Sequence, residues 1–339
     1  MIEIIKSLIE QGLLPFLVAL LITTALGPVF IPWLHKLKFG QEIREEGPSW
    51  HQKKSGTPTM GGIMFILGIT AGVLAVFLIS VFTKNDSIEI KKSILMLVTA
   101  LAFGLVGFVD DYIKVVKKRN LGLTALHKFI LQMMFAVLYL ISLNFMGELR
   151  CTVLIPFLDF SFNLPIWLYI IFALFVVTGT VNAVNLTDGL DGLASSVTFV
   201  VSIFFALAGV ISASDGTVAF MMAVAGGMIG FLVYNKYPAK VFMGDTGSLF
   251  LGGAIVVSAI GMQMPLFLII AGFVYFMETL SVILQVISFK LTGKRIFKMS
   301  PIHHHFEMCG WNEKKIVFVF TSVTVLLCLV ALAGYIFKI

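Results

Sequence analysis

Asp110 and Asp111, Asp188 and Asp191, Asp245, and His303, His304 and His305 are the residues in this chain whose types and spacing could do chemistry. Each group falls in an interval between long hydrophobic segments. Asp110 and Asp111 stand side by side in GFVDDYIKVVKKRN. Adjacent carboxylates repel, and the cheapest remedies are a cation or a raised pKa on one of them. Lys114 follows one helical turn later and is placed to pair with either. A plainer role, capping and orienting a helix end, stands beside this one. The diphosphate-binding pattern DDxxD would need Asp where the chain has Lys114, which counts against a soluble prenyl synthase.

The second group lies in NAVNLTDGLDGLA, residues 182–194. Asn182, Asn185 and Asp188 recur every third position, so a continuing helix would present them along a narrow stripe. Gly189 and Gly192 then let the backbone approach a ligand closely. Asn donates and accepts while ionised Asp only accepts, which suits sugar hydroxyls and a base edge better than a bare phosphate. Two Asn and two Asp in so short a stretch exceed what a structural turn needs. In VFMGDTGSLFLGG, Asp245 sits between Gly244 and Gly247, at the start of a predicted helix. An N-cap would explain the carboxylate but not the surrounding glycines; exposed on such a turn, it is suited to a hard cation such as Mg²⁺.

The three histidines are half of the six in the chain, and they lie in SPIHHHFE beside Lys294, Arg295 and Lys298. Consecutive residues of a helix or strand point different ways, so a three-His metal site is not expected; donors to phosphate oxygens or an anchor to anionic headgroups are. WHQKKSGTPTMGG, with Lys53, Lys54, Thr57 and Thr59, reads as a phosphate or nucleotide lip, although it is no Walker A motif. Glu278 and Gln285 are polar residues inside an apolar segment, where a functional role is the default suspicion.

The elements that position these residues are membrane spans. Hydrophobic residues make up 59% of the 339 and charged residues 12%, with mean hydropathy +1.01; soluble domains carry about 25% charge. About 20 apolar residues cross a bilayer core, and ten such stretches occur, near 13–34, 59–83, 93–113, 126–146, 165–184, 193–212, 217–234, 247–263, 266–289 and 315–337. The predicted class is an all-α polytopic membrane protein forming one membrane domain, residues 1–339. If the N-terminus is outside, the inner loops hold 18 of the 24 Lys and Arg. That bias is the positive-inside signal, so both termini are expected outside and every polar group at the cytoplasmic face. It also accounts for the net charge of +6 without nucleic acid. Cys151, Cys309 and Cys328 fall outside, inside and within a helix, so neither a disulfide nor a zinc site is expected. The outer loop 147–164, with its TVLIPF run, predicts a short hairpin cap.

PTMGG, FVDDYIK, NAVNLTDGLDGLA, VFMGDTGSL and SPIHHHFE, in this order on alternate intervals of ten helices, closely resemble the phospho-N-acetylmuramoyl-pentapeptide transferases, within the polyprenyl-phosphate N-acetylhexosamine-1-phosphate transferases. The likeness runs from about residue 30 to 315. It implies transfer of phospho-MurNAc-pentapeptide from UDP-MurNAc-pentapeptide to undecaprenyl phosphate, giving lipid I and UMP, at the inner (plasma) membrane of a bacterial cell. By that resemblance Asp245 would hold Mg²⁺ and Asp110 with Asp111 would handle the lipid phosphate. Asn182, Asn185, Asp188 and Asp191 would line the nucleoside-sugar pocket. Phe242 would stack on uracil with Lys54 and Asn235 nearby and Thr59 at the edge. Lys114 would count among the substrate-binding residues, and His303, His304 and His305 would contact the diphosphate or the sugar-peptide side. A broken ninth helix would leave a groove for the prenyl chain, with Glu278 and Gln285 along it.

A phosphate monoester has its second pKa near 6, so little proton is left for Asp110 to remove at pH 7; this favours direct attack over a phospho-aspartate route. Two other classes stay in view. A sister transferase using UDP-N-acetylglucosamine would share the carboxylates and differ in the His loop. A flippase or secondary transporter would place its polar sites near the midplane on internal repeats, and no repeat is visible. For the assembly, a homodimer is the commonest symmetric form.

Overall fold

The computed structural model describes residues 2–37, 56–83, 87–116, 122–158 and 160–336. Among them are twelve α-helices: α1 (Ile2–Lys36), α2 (Gly62–Phe82), α3 (Ile88–Val116), α4 (Ala125–Phe145), α5 (Ile166–Thr187), α6 (Leu193–Ile211), α7 (Asp215–Asn235), α8 (Gly244–Gly261), the short α9 (Leu268–Ala271), α10 (Phe273–Thr292), the short α11 (Ile302–Met308) and α12 (Glu313–Ile336). All but the two short helices are long and apolar enough to cross a membrane, ten spans in all. The chain is a multi-pass helical membrane protein. α1 and α3 begin earlier than hydrophobicity alone predicts, because each helix continues past its apolar part through a polar turn.

α7 and α8 form the centre, with 83% of their apolar windows buried, whereas α1, α4, α10 and α12 bury 22–28% and keep their outer faces for lipid. The centre closes because small residues let backbones meet, the main device of helix packing in lipid. α8 passes between α3 and α5: a Cβ at Gly252 would lie 2.7 Å from the Val181 Cα, and one at Gly107 would collide with the Asp245 carbonyl. Tyr139 Oη donates to the Val257 carbonyl at 2.7 Å, tying α4 to α8. The start of α4, the ends of α3 and α5 and the start of α8 are thereby brought to one end of the bundle.

The stretch 266–289, expected as the ninth span, is not one helix: its break precedes the span, which is α10. A 3₁₀ turn at Pro265–Phe267 and α9 lead to Gly272, where the helix axis restarts as α10. At the end opposite the site, β1 (Thr152–Leu154) pairs antiparallel with β2 (Ser161–Asn163), Val153 facing Phe162. This is the hairpin cap expected from TVLIPF, and its Phe157 packs against Gly334 of α12.

Candidate active site at one end of the bundle

Two lysines are held between two carboxylates. Lys114 Nζ lies 2.6 Å from Asp110 Oδ2 and 3.0 Å from Asp245 Oδ2; Lys128 Nζ lies 2.9 Å and 2.6 Å from the same two atoms. Asp110 and Lys114 are one turn apart on α3, Lys128 stands in the first turns of α4, and Asp245 opens α8. Asp110 is 0% exposed, and a buried carboxylate persists as an ion only when paired. Its Oδ1 also accepts from the Leu123 N–H at 2.7 Å, fixing the entry to α4.

Asp111, the next residue, points elsewhere. Its Oδ1 accepts from the Asp245 N–H at 3.2 Å; its Oδ2 accepts from the Thr246 N–H at 2.8 Å and the Thr246 hydroxyl at 2.6 Å. α3 thus supplies the cap that Met243, just before α8, cannot, satisfying donors a helix start leaves open. The fit requires Gly244: with φ at +71°, any Cβ there would sit 2.6 Å from Asp111 Oδ2 and 2.8 Å from Thr59 Oγ1.

α5 brings the next group. Asn185 Nδ2 donates to Asp245 Oδ1 at 3.0 Å and to Ser248 Oγ at 2.7 Å, so each Asp245 oxygen has a partner from another helix. The predicted stripe continues inward to Asn182, while Asp188 is the residue at which α5 ends. Burial, and then the negative charges of Asp245, Asp111 and Asp191, hold the Asp188 carboxyl well above its ordinary pKa. Asp191 is buried against the turn after α7, its Oδ2 accepting from the Ala239 N–H at 2.9 Å; its own N–H donates to Glu313 of α12 at 2.6 Å.

The three histidines diverge, as their adjacency predicts. His303 is buried, with Nδ1 2.9 Å from Glu278 Oε2, and its other edge fills the space a side chain at Gly189 would need. His304 Nδ1 lies 2.6 Å from Glu307 Oε2. His305 Nδ1 accepts from the Lys298 N–H at 3.1 Å. His303 thereby reaches the turn beside Asp188.

Other predicted site residues are bound up in the protein itself. Asn235 accepts from Ser195 Oγ and donates to the Val241 carbonyl. Gln285 Oε1 accepts from the N–H groups of Ile296 and Phe297 while its Nε2 donates to the Phe297 carbonyl, so it pins the basic loop after α10. Phe242 is half-buried and its backbone pairs with Pro58 and Gly61, placing the TPTMGG segment beside α8. An open cleft of about 500 Å³, lined by His35, Gly56, Thr57, Ala239 and Lys240, adjoins it. Thr59 is buried against Gly244. Lys54 lies outside the described residues.

Oxygens of Asp110, Asp111 and Asp245 all lie within 4.8 Å of one another. Three carboxylates thus gather about two ammonium groups, and hard oxygen donors with surplus negative charge suit a divalent cation. The residues therefore fit a metal of that class. Two polar residues tied to the site carry no motif signal: Lys128, and Gln132, which accepts from Asn182 Nδ2 at 2.8 Å. Both are polar residues at the entry of an otherwise apolar span, the pattern that marks function in membrane helices.

The fold and site first define a class: a helical, multi-pass membrane protein with a carboxylate–lysine cluster at one end of its bundle. Comparison with known proteins narrows it. The family model described as Glycosyl transferase family 4 matches residues 93–263, and the phospho-N-acetylmuramoyl-pentapeptide-transferase signature 1 matches residues 54–66. The chain is 48% identical over 331 residues to the phospho-N-acetylmuramoyl-pentapeptide-transferase of Clostridium botulinum (strain Alaska E43 / Type E3), covering 97% of this chain and 98% of the relative. It is 51% identical over 329 residues to that of Bacillus cereus (strain AH187), covering 96% and 98%. The chain belongs to the phospho-N-acetylmuramoyl-pentapeptide transferase family.

Proposed function

We propose that this transferase moves phospho-MurNAc-pentapeptide, the group its relatives are named for, from UDP-MurNAc-pentapeptide to undecaprenyl phosphate in peptidoglycan synthesis. The observation that carries the reading is the pair of lysines bridging Asp110 and Asp245 at the membrane edge, where a water-soluble donor can meet a lipid acceptor. An oxygen of the lipid phosphate attacks the sugar-linked phosphorus. The bond from that phosphorus to the bridging oxygen breaks, and UMP leaves with the oxygen and its electron pair. Phosphoryl transfer needs positioning and charge neutralisation more than covalent help. Lys114 and Lys128 would pass from the carboxylates to phosphate oxygens as substrates enter, and Asn185 keeps Asp245 oriented.

Mg²⁺, held by Asp245 with Asp110 beside it, would supply charge neutralisation at the phosphates. Asn182, Asp188 and Asp191 would face the nucleoside-sugar part, Phe242 would stack on the base, Lys54 and Thr59 would close the edge of that pocket, and His303 would reach the diphosphate from across Gly189. Asp111 serves by holding the start of α8, and Asn235 and Gln285 serve by holding loops. The chain acts as one domain in the bacterial plasma membrane, both termini outside and the site cytoplasmic, by the 18-to-6 split of Lys and Arg. A homodimer is the assembly proposed.

The test is a donor swap on purified protein with undecaprenyl phosphate and Mg²⁺. UMP release from UDP-MurNAc-pentapeptide, far faster than from UDP-N-acetylglucosamine, is expected; preference for the latter moves the chain to the sister branch, and release from neither sinks the enzyme reading.

A further inference from the structure

Gln132, on α4, is 0% exposed, yet part of its amide has nothing to bond to. Its orientation is fixed by its neighbour. Asn182 Nδ2 donates to the Thr178 carbonyl at 2.8 Å, and a backbone carbonyl can only accept, so that end of Asn182 must be its nitrogen. The same nitrogen lies 2.8 Å from Gln132, which must therefore present its oxygen, Oε1. Gln132 Nε2 is left a buried donor with no acceptor among the described residues. Such a group in a membrane protein calls for a missing partner.

Position says what kind. Gln132 lies one helical turn beyond Lys128, deeper in the span, and helix side chains tilt toward the N-terminus. Its partner Asn182 stands one turn before Asn185, which holds Asp245, so the amide belongs to the deep side of the carboxylate–lysine cluster. A soluble donor approaches from the opposite side, and a ligand oxygen arriving from the bilayer belongs to a lipid. Lys128 covers this approach while its ammonium rests on Asp110 and Asp245; an incoming anion competes for that ammonium.

We propose that Gln132 is a further acceptor-binding residue, its Nε2 donating to a phosphate oxygen of the lipid substrate while Asn182 holds it in register. The proposal rests on the reading above that the acceptor is a polyprenyl phosphate. The sources of a phosphate oxygen, lipid and nucleotide, separate by which substrate's KM responds.

The experiment measures both KM values on the full-length protein in detergent, for wild type, Gln132→Glu and Gln132→Met. Gln132→Glu keeps the length and the acceptor facing Asn182; ionised it has no donor and repels the phosphate, protonated it donates in the amide's place, so KM is read across pH and a penalty that fades on acidification is expected. Loss of a hydrogen bond to a charged oxygen should raise KM for undecaprenyl phosphate about 10-fold or more, with the KM of the nucleotide donor unchanged. An unchanged acceptor KM, or both KM values rising together, overturns the proposal. If Gln132→Met fails to fold, Gln132→Glu decides alone. If wild type transfers nothing, the activity reading has failed, and the Gln132 claim is then judged by lipid-induced thermal stabilisation. A shift with undecaprenyl phosphate in wild type that is lost in Gln132→Glu supports it; equal shifts, or none in either, overturn it.

Discussion

Asp111 of α3 accepts hydrogen bonds from both the backbone N–H and the hydroxyl of Thr246 in α8. Its neighbour Asp110 instead faces the two lysines. Adjacent residues on a helix point about 100° apart, so one carboxylate builds the site and the other is left in it.

Asp111→Ala should therefore act first on folding. Leaving the start of α8 uncapped should cost about 2 kcal/mol, seen as a lower melting temperature, with activity falling in step. Asp111→Ala with wild-type stability and no activity would make Asp111 chemical instead.

Asp245→Asn should do the reverse. Asn keeps the size and one oxygen to accept from Lys114 and Lys128, so the fold should hold, whereas losing one preorganised electrostatic group typically lowers turnover about 10²-fold or more. EDTA should abolish turnover and Mg²⁺ or Mn²⁺ restore it. Near-normal rates in the variant or in EDTA would remove the metal from this residue.

Glu278 and His303 are both buried. Glu278→Leu leaves the imidazole without its partner and should cost about 1–3 kcal/mol of stability, whereas Glu278→Gln keeps an acceptor and should cost less. Equal melting temperatures for the two would show that the contact does not hold α11.

Topology can be read with the chain's own thiols. Cys309 is exposed at the site end, and Cys151 precedes the hairpin at the other. An impermeant maleimide on intact cells should label a variant keeping only Cys151 and spare one keeping only Cys309. Labelling of Cys309 would place the site on the outer face.

The ten spans were legible because a bilayer demands long apolar runs, and the motif order sufficed for the family. Helix starts were less so: α3 begins at Ile88 because Glu89 bonds the Gly216 N–H at 3.1 Å, a partner far along the chain. Within the site, residue types were readable but not their division of labour. Nothing in FVDDYIK says which Asp meets Thr246, since that depends on α8 passing close to Gly107. Lys128 and Gln132 were hidden in a segment that reads as hydrophobic. Gln285 adds a contact that its polarity alone could not specify: its amide holds the backbone at Ile296 and Phe297.

The hydrogen bond from the Asp191 N–H to Glu313 has a meaning for biosynthesis. Glu313 opens α12, the last described helix, and Asp191 belongs to the turn after α5. A nascent chain with nine spans inserted still lacks this contact. The loop beside Asp188 therefore reaches its described form only once α12 is in place, so the order of insertion is also the order in which the site is assembled.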